Sequence, residues 1–87
     1  KLNEALVHFR KAVKLAPDGV NYLTNLANTL WKKGRLAQAK HYFKKALKYE
    51  RDDRENNYNL GLLLQQAGRY MEAQQYLLKA RELGQED

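Results

Sequence analysis

The chain contains no cysteine. Disulfides, thiolate metal sites and a cysteine nucleophile are therefore excluded, and nothing points to a redox compartment. It contains no serine either, which removes serine-based acyl transfer. His8 and His41 are the only histidines, too few to close a zinc site that needs three or four ligands. No glycine-rich loop cradles a phosphate. The acids Glu50, Asp52, Asp53 and Glu55 crowd one stretch but lack the spacing and the glycine of a calcium loop. A role at a helix start, as cap and dipole partner, suits them better. No apolar run approaches the ~18 residues of a membrane span, no signal-peptide pattern opens the chain, and no stretch alternates as a strand does. The expectation is a protein that is not an enzyme, binds no cofactor and holds no metal, soluble and with an intracellular setting favoured. The chain opens on Lys1 rather than methionine, which reads as a processed or excised piece.

Negative charge is scarce in the first half. Residues 1–49 carry 11 Lys/Arg against two acids, a balance of +9, whereas residues 50–87 carry five against eight, a balance of −3. The overall +6 raises the prospect of acidic partners at one end of the molecule. Eighty-seven residues allow one small domain with a thin core.

What the chain does have is a period of 34 residues. Gly34 recurs as Gly68, Leu26 as Leu60 and Leu30 as Leu64. Leu2 becomes Leu36 and Tyr70; Phe9 becomes Phe43 and Leu77. The alanines at 5, 39 and 73 fall in register, as do those at 12, 46 and 80. A fixed period of this size marks a stacked-repeat architecture. Apolar residues at helical spacing predict five amphipathic helices, over about 2–16, 20–33, 36–50, 54–67 and 70–83. Pro17-Asp18-Gly19, Gly34, Arg51-Asp52-Asp53, Gly68 and Gly84 mark the breaks, with an Asp placed to cap the fourth helix. Short connections predict antiparallel neighbours, and the alanines let helix axes approach closely, with Phe9 and Phe43 filling the gaps between.

These residues resemble the tetratricopeptide repeat. Asn25-Leu26-Ala27 with Gly34, Ala39, Phe43 and Ala46 is similar to one repeat. Asn59-Leu60-Gly61 with Gly68, Tyr70, Ala73 and Ala80 is similar to the next. Ala5, Phe9, Ala12 and Pro17 match the second half of an earlier one. The resemblance implies an all-α, right-handed solenoid of five helices in one domain: a half repeat over 1–19 and full repeats over 20–53 and 54–87. It also implies that the first helix of each pair lines a concave face and the second a convex face. The chain departs from the family pattern at Leu23 and Asn57, where a large residue such as Trp is favoured, and at Arg51, where the family usually has proline. A semi-buried Asn57 requires a hydrogen-bonding partner.

On that arrangement Asn21, Thr24, Asn25, Asn28, Trp31 and Lys32 of the second helix line the concave groove. Glu55, Tyr58, Asn59, Leu62, Gln65 and Gln66 of the fourth occupy the matching places. Amides offer donors and acceptors together, which suits the backbone of an extended peptide. Trp31 is an anchor candidate, and Tyr58 and Leu62 a shelf for an apolar side chain. The other reading of these residues is local: amides bonding nearby backbone, and Trp31 covering a neighbouring helix. Asn28 and Asn59 match two places of the carboxylate clamp found in some members. The cations of that clamp are missing, and Thr24 stands in for the first of them, so no such clamp is expected.

A basic stripe, Arg10, Lys11, Lys14, Lys40, Lys44, Lys45 and Lys48, falls on the second-in-pair helices and fades in the third copy. It reads first as a solvated outer face, so nucleic acid and membrane are not expected partners. If nucleic acid did bind there, affinity would fall steeply with salt. The function expected is a scaffold or adaptor for a protein or peptide ligand. The competing class is self-assembly, a homo-oligomer formed through exposed apolar faces of the end helices.

Overall fold

The computed structural model describes residues 1–85. Among them the chain forms five helices: α1 (Leu2–Leu15), α2 (Val20–Lys32), α3 (Leu36–Tyr49), α4 (Arg54–Gln66) and α5 (Tyr70–Gly84). No strand occurs among the described residues. The last two positions of the repeat assigned to 54–87, Glu86 and Asp87, lie outside them. All five helices end within a residue of the sequence expectation. α5 ends at Gly84, which is its last helical residue, with Gln85 as the cap. Among the described residues only Gly34 and Gly68 take a positive φ, +80° and +79°.

Those two glycines close their helices the same way. Gly34 N–H donates to Trp31 O, and Arg35 N–H reaches back to Leu30 O; Gly68 and Arg69 repeat this onto Gln65 and Leu64. This paired pattern uses carbonyls that would otherwise be orphaned, and it needs a left-handed residue that glycine adopts without strain. At the start of α4, Asp53 accepts from Asn56 N–H at 2.9 Å, as the sequence predicts.

The chain folds up and down, and each helix packs on its sequence neighbours, most extensively α2 on α3 and α4 on α5. The molecule measures 34 × 29 × 19 Å. Its thinnest dimension matches two helix layers at the usual 8–10 Å separation. α2 and α4 form one layer; α1, α3 and α5 form the other. The core runs between the layers through Leu26, Leu30, Ala39, Phe43, Leu60, Leu63, Leu64 and Ala73.

Burial then depends on whether a neighbouring helix is present. Phe43, Ala39 and Ala46 are 0% exposed, whereas Phe9, Ala5 and Ala12, one repeat earlier, are only half-buried. At the other end Leu77 is half-buried and Tyr70, Met71 and Leu78 are exposed.

Candidate functional site

Helices α2 and α4 lie side by side and are joined by three side-chain contacts. The Thr24 hydroxyl is 2.8 Å from Asn56 Oδ1. Asn59 Nδ2 donates weakly to Asn28 Oδ1 at 3.5 Å. Trp31 Nε1–H donates to Gln66 Oε1 at 2.7 Å. These contacts separate the expected groove residues into two sets.

The first set belongs to the joint between repeats. Thr24 was expected in the groove, but it is buried. Its hydroxyl also lies 2.9 Å from the Val20 carbonyl, and burial without such partners would be costly. Trp31 is half-buried, its ring edge-on to Phe43 with centroids 6.0 Å apart. Its one donor is already given to Gln66. Tyr58 and Gln65 hold the corresponding flank of α4 one period on; both are exposed because no helix follows there among the described residues.

The second set faces solvent along both helices. Asn21, Asn25 and Lys32 are exposed on α2, with Asn28 half-buried between them. Glu55 and Gln66 are exposed on α4, with Asn59 and Leu62 half-buried. Counted by the 34-residue period these are four matched pairs: Asn21 with Glu55, Asn25 with Asn59, Asn28 with Leu62, and Lys32 with Gln66. Helical rise sets neighbours within each row ~5–6 Å apart.

Asn57 meets the requirement placed on it. It is buried, and its amide nitrogen donates to the carbonyls of Arg51 and Asp53 at 3.1 and 2.8 Å. An asparagine at the core position held by Leu23 one period earlier thus ties the α3–α4 turn to the start of α4.

The basic stripe lies on α1 and α3, in the opposite layer. Lys11, Lys14 and Lys48 are exposed, and Lys40 and Lys45 are half-buried. Two members reach the next helix of their layer: Arg10 donates to Gln38 at 3.5 Å, and Lys44 donates to Glu72 at 3.2 Å. These contacts are the same rung one period apart. Lys79 adds a second bridge to Asp52 at 3.0 Å. Between the α3 and α5 rungs lies a cleft of about 440 Å³, lined by Lys44, Leu47, Lys48, Arg51, Asn57, Gln75, Tyr76 and Lys79. Reading the sequence missed the contribution of Arg51, Gln75, Tyr76 and Lys79. The available signal was the 28-residue offset shared by Arg10–Gln38 and Lys44–Glu72.

The hydrogen bond from Lys44 holds the Glu72 carboxyl below its ordinary range, and the bond and charge of Lys79 do the same for Asp52. A carboxylate pKa depressed on folding stabilises the fold above the unfolded carboxylate range. That contribution disappears as pH falls through the folded value. The melting temperature is therefore expected to decline between about pH 5 and pH 3. Glu72→Gln is expected to flatten part of that decline, measured by circular dichroism melts across the range.

Among the described residues no three His, Cys, Asp or Glu gather as a metal site, and no helix is long and apolar enough to cross a membrane. Paired antiparallel helices repeating at a fixed period, with a solvent-facing row on the first helix of each pair, define a tandem helical-repeat protein. The family model for the tetratricopeptide repeat matches residues 24–87, and the chain belongs to that family. Its members are non-catalytic modules associated with protein–protein interaction and scaffolding. Among solved structures, one of MamA AMB-1 matches with a TM-score of 0.93 and 26% identity over 99% of this chain and 47% of that one. A second MamA AMB-1 structure gives 0.89 and 27% over 94% and 48%. MamA MSR-1 gives 0.89 and 25% over 95% and 48%. The chain thus spans about half the length of these structures. No curated protein matches it.

Proposed function

We propose that this chain is an adaptor module, built as a half repeat over 1–19 and full repeats over 20–53 and 54–87, that holds an extended segment of another protein against α2 and α4. The observation that carries this reading is the set of matched solvent-facing residues, Asn21, Asn25, Asn28 and Lys32 beside Glu55, Asn59, Leu62 and Gln66. An extended peptide advances ~6.6 Å for every two residues, close to the step between side chains one turn apart on a helix. Alternate ligand residues therefore meet successive side chains of a row. Each peptide unit brings a donor and an acceptor, and asparagine answers both. Leu62 and the exposed ring of Tyr58 supply an apolar contact beside the amides. Trp31 supports this surface from behind instead of gripping a ligand.

The test is a peptide-array screen followed by titration of the best ligand. Asn25→Ala combined with Asn59→Ala is expected to weaken binding about tenfold, since each removed hydrogen bond contributes ~0.5–1.5 kcal/mol. The melting temperature should stay nearly unchanged. Full retention of affinity would remove the groove assignment. Self-association is a second reading, favoured by the half-buried Phe9 and Leu77 and the exposed Leu78 at the two ends. Sedimentation velocity on the same samples reads it directly, and a monomer at every concentration counts against it.

A further inference from the structure

We infer that the cleft between α3 and α5 is a second binding site, on the face away from the α2 and α4 rows. Its ligand is an acidic peptide segment that carries an apolar residue among its carboxylates.

The argument starts from the two ion pairs that bridge the cleft. Lys44–Glu72 joins α3 to α5 at one end, and Asp52–Lys79 joins the α3–α4 turn to α5 at the other. Those four charges neutralise one another. Lys48 and Arg51, which also line the cleft, have no carboxylate within salt-bridge distance among the described residues. Both are exposed. The space between the rungs therefore presents two cations outside the ion pairs, and the Arg51 guanidinium can take a carboxylate with two parallel hydrogen bonds.

The lining below the cations is not charged. Leu47 is 9% exposed and Tyr76 is half-buried, which gives an apolar floor. Gln75 adds an amide that both donates and accepts. Asn57 has committed its nitrogen to backbone carbonyls, so its acceptor oxygen is the group it has left. Acceptors suit a ligand with N–H groups, which a peptide has along its whole length and a phosphodiester backbone lacks. Charge, floor and amides together favour polypeptide over nucleic acid.

The same joint one repeat earlier is less complete. It has the Arg10–Gln38 contact, at 3.5 Å and with a neutral partner. Asp18 and Lys45, which correspond to Asp52 and Lys79, are not bridged among the described residues. A cleft of about 390 Å³ lies at that joint too, lined by Arg10, Ala37, Gln38, His41 and Tyr42, so stacking makes the space, and the two charged rungs with Lys48 and Arg51 between them are what distinguish the α3–α5 cleft.

Fluorescence anisotropy with a labelled peptide of alternating glutamate and leucine tests the site. Binding is expected, weakening as salt screens the charges. Lys48→Glu with Arg51→Glu should lower affinity at least about tenfold, or 1.4 kcal/mol. Asn25→Ala with Asn59→Ala should leave it unchanged, which keeps this result separate from the fate of the α2–α4 groove. Circular dichroism confirms folding, and Lys48→Ala with Arg51→Ala serves if the reversals perturb it. The inference is overturned by any of four results: no binding, equal binding of a glutamine–leucine peptide, undiminished binding by the charge variants, or tighter binding of oligothymidylate than of the acidic peptide.

Discussion

Phe43→Ala is expected to cost about 4 kcal/mol, the middle of the range for truncating a fully buried aromatic. The ring is 0% exposed and belongs to the core cluster formed with α2 and α4. Trp31 stands edge-on to it at an interplanar angle of 90°, an arrangement that contributes beyond simple area burial. A domain of this length has a total stability of ~4–13 kcal/mol, so the variant should lose between about a third and all of it. Urea denaturation followed by circular dichroism measures the loss. Phe9→Ala changes the same position one repeat earlier, where the side chain is half-buried, and should lose less than half as much. Equal losses would mean that the core is not centred on the joint between α2, α3 and α4.

Gly61→Leu is expected to cost about 3 kcal/mol by overpacking. A Cβ at Gly61 would lie 2.5 Å from Leu77 Cδ2, 2.6 Å from Leu77 Cγ and 3.3 Å from the Ala73 carbonyl oxygen. The first obstacle is a half-buried side chain that can turn aside. The second is helix backbone and cannot move without separating α4 from α5. Leucine is a good helix former, so a loss would report packing and not propensity. Gly61→Ala should also lower stability, though by less than Gly61→Leu, because its Cβ already meets Leu77 and the Ala73 carbonyl and the helix gain of ~1 kcal/mol offsets only part of that. Leu77→Ala in the same chain should turn that change into a net gain. A stable, wild-type-like Gly61→Leu would refute the close approach of α4 and α5.

Much of this fold was legible because its determinants are local or periodic. Apolar spacing located the five helices, and Gly34 and Gly68 marked ends that only a left-handed residue closes in this way. Asp53 was recognisable as a cap from its type and place. Gly84 marks the end of α5 without the left-handed turn of Gly34 and Gly68, so it closes its helix differently. Thr24 was misread because its helical position leaves it on the border between the open face and the joint. The presence of Asn56 opposite, 32 residues away in sequence, decides for the joint.

The candidate sites were less legible than the fold. The α2 and α4 rows could be written down from spacing alone, but Trp31 looks like an anchor only until Phe43 and Gln66 are placed around it. The α3–α5 cleft needs residues from α3, α5 and the turn before α4, and no short motif unites them.

The sequence by itself determined the period, the five helices, the glycine-closed ends and the uneven distribution of charge. These depend on residue type and on neighbours within a few turns. Only the tertiary structure decided which equivalent residues are sealed and which are open: Phe43 against Phe9, Thr24 against Tyr58. It also decided which cations are spent on bridges and which, like Lys48 and Arg51, form none among the described residues. The physical reason is that burial and charge pairing belong to surfaces brought together by folding, and a 34-residue repeat assigns the same letter to positions whose neighbours in space differ.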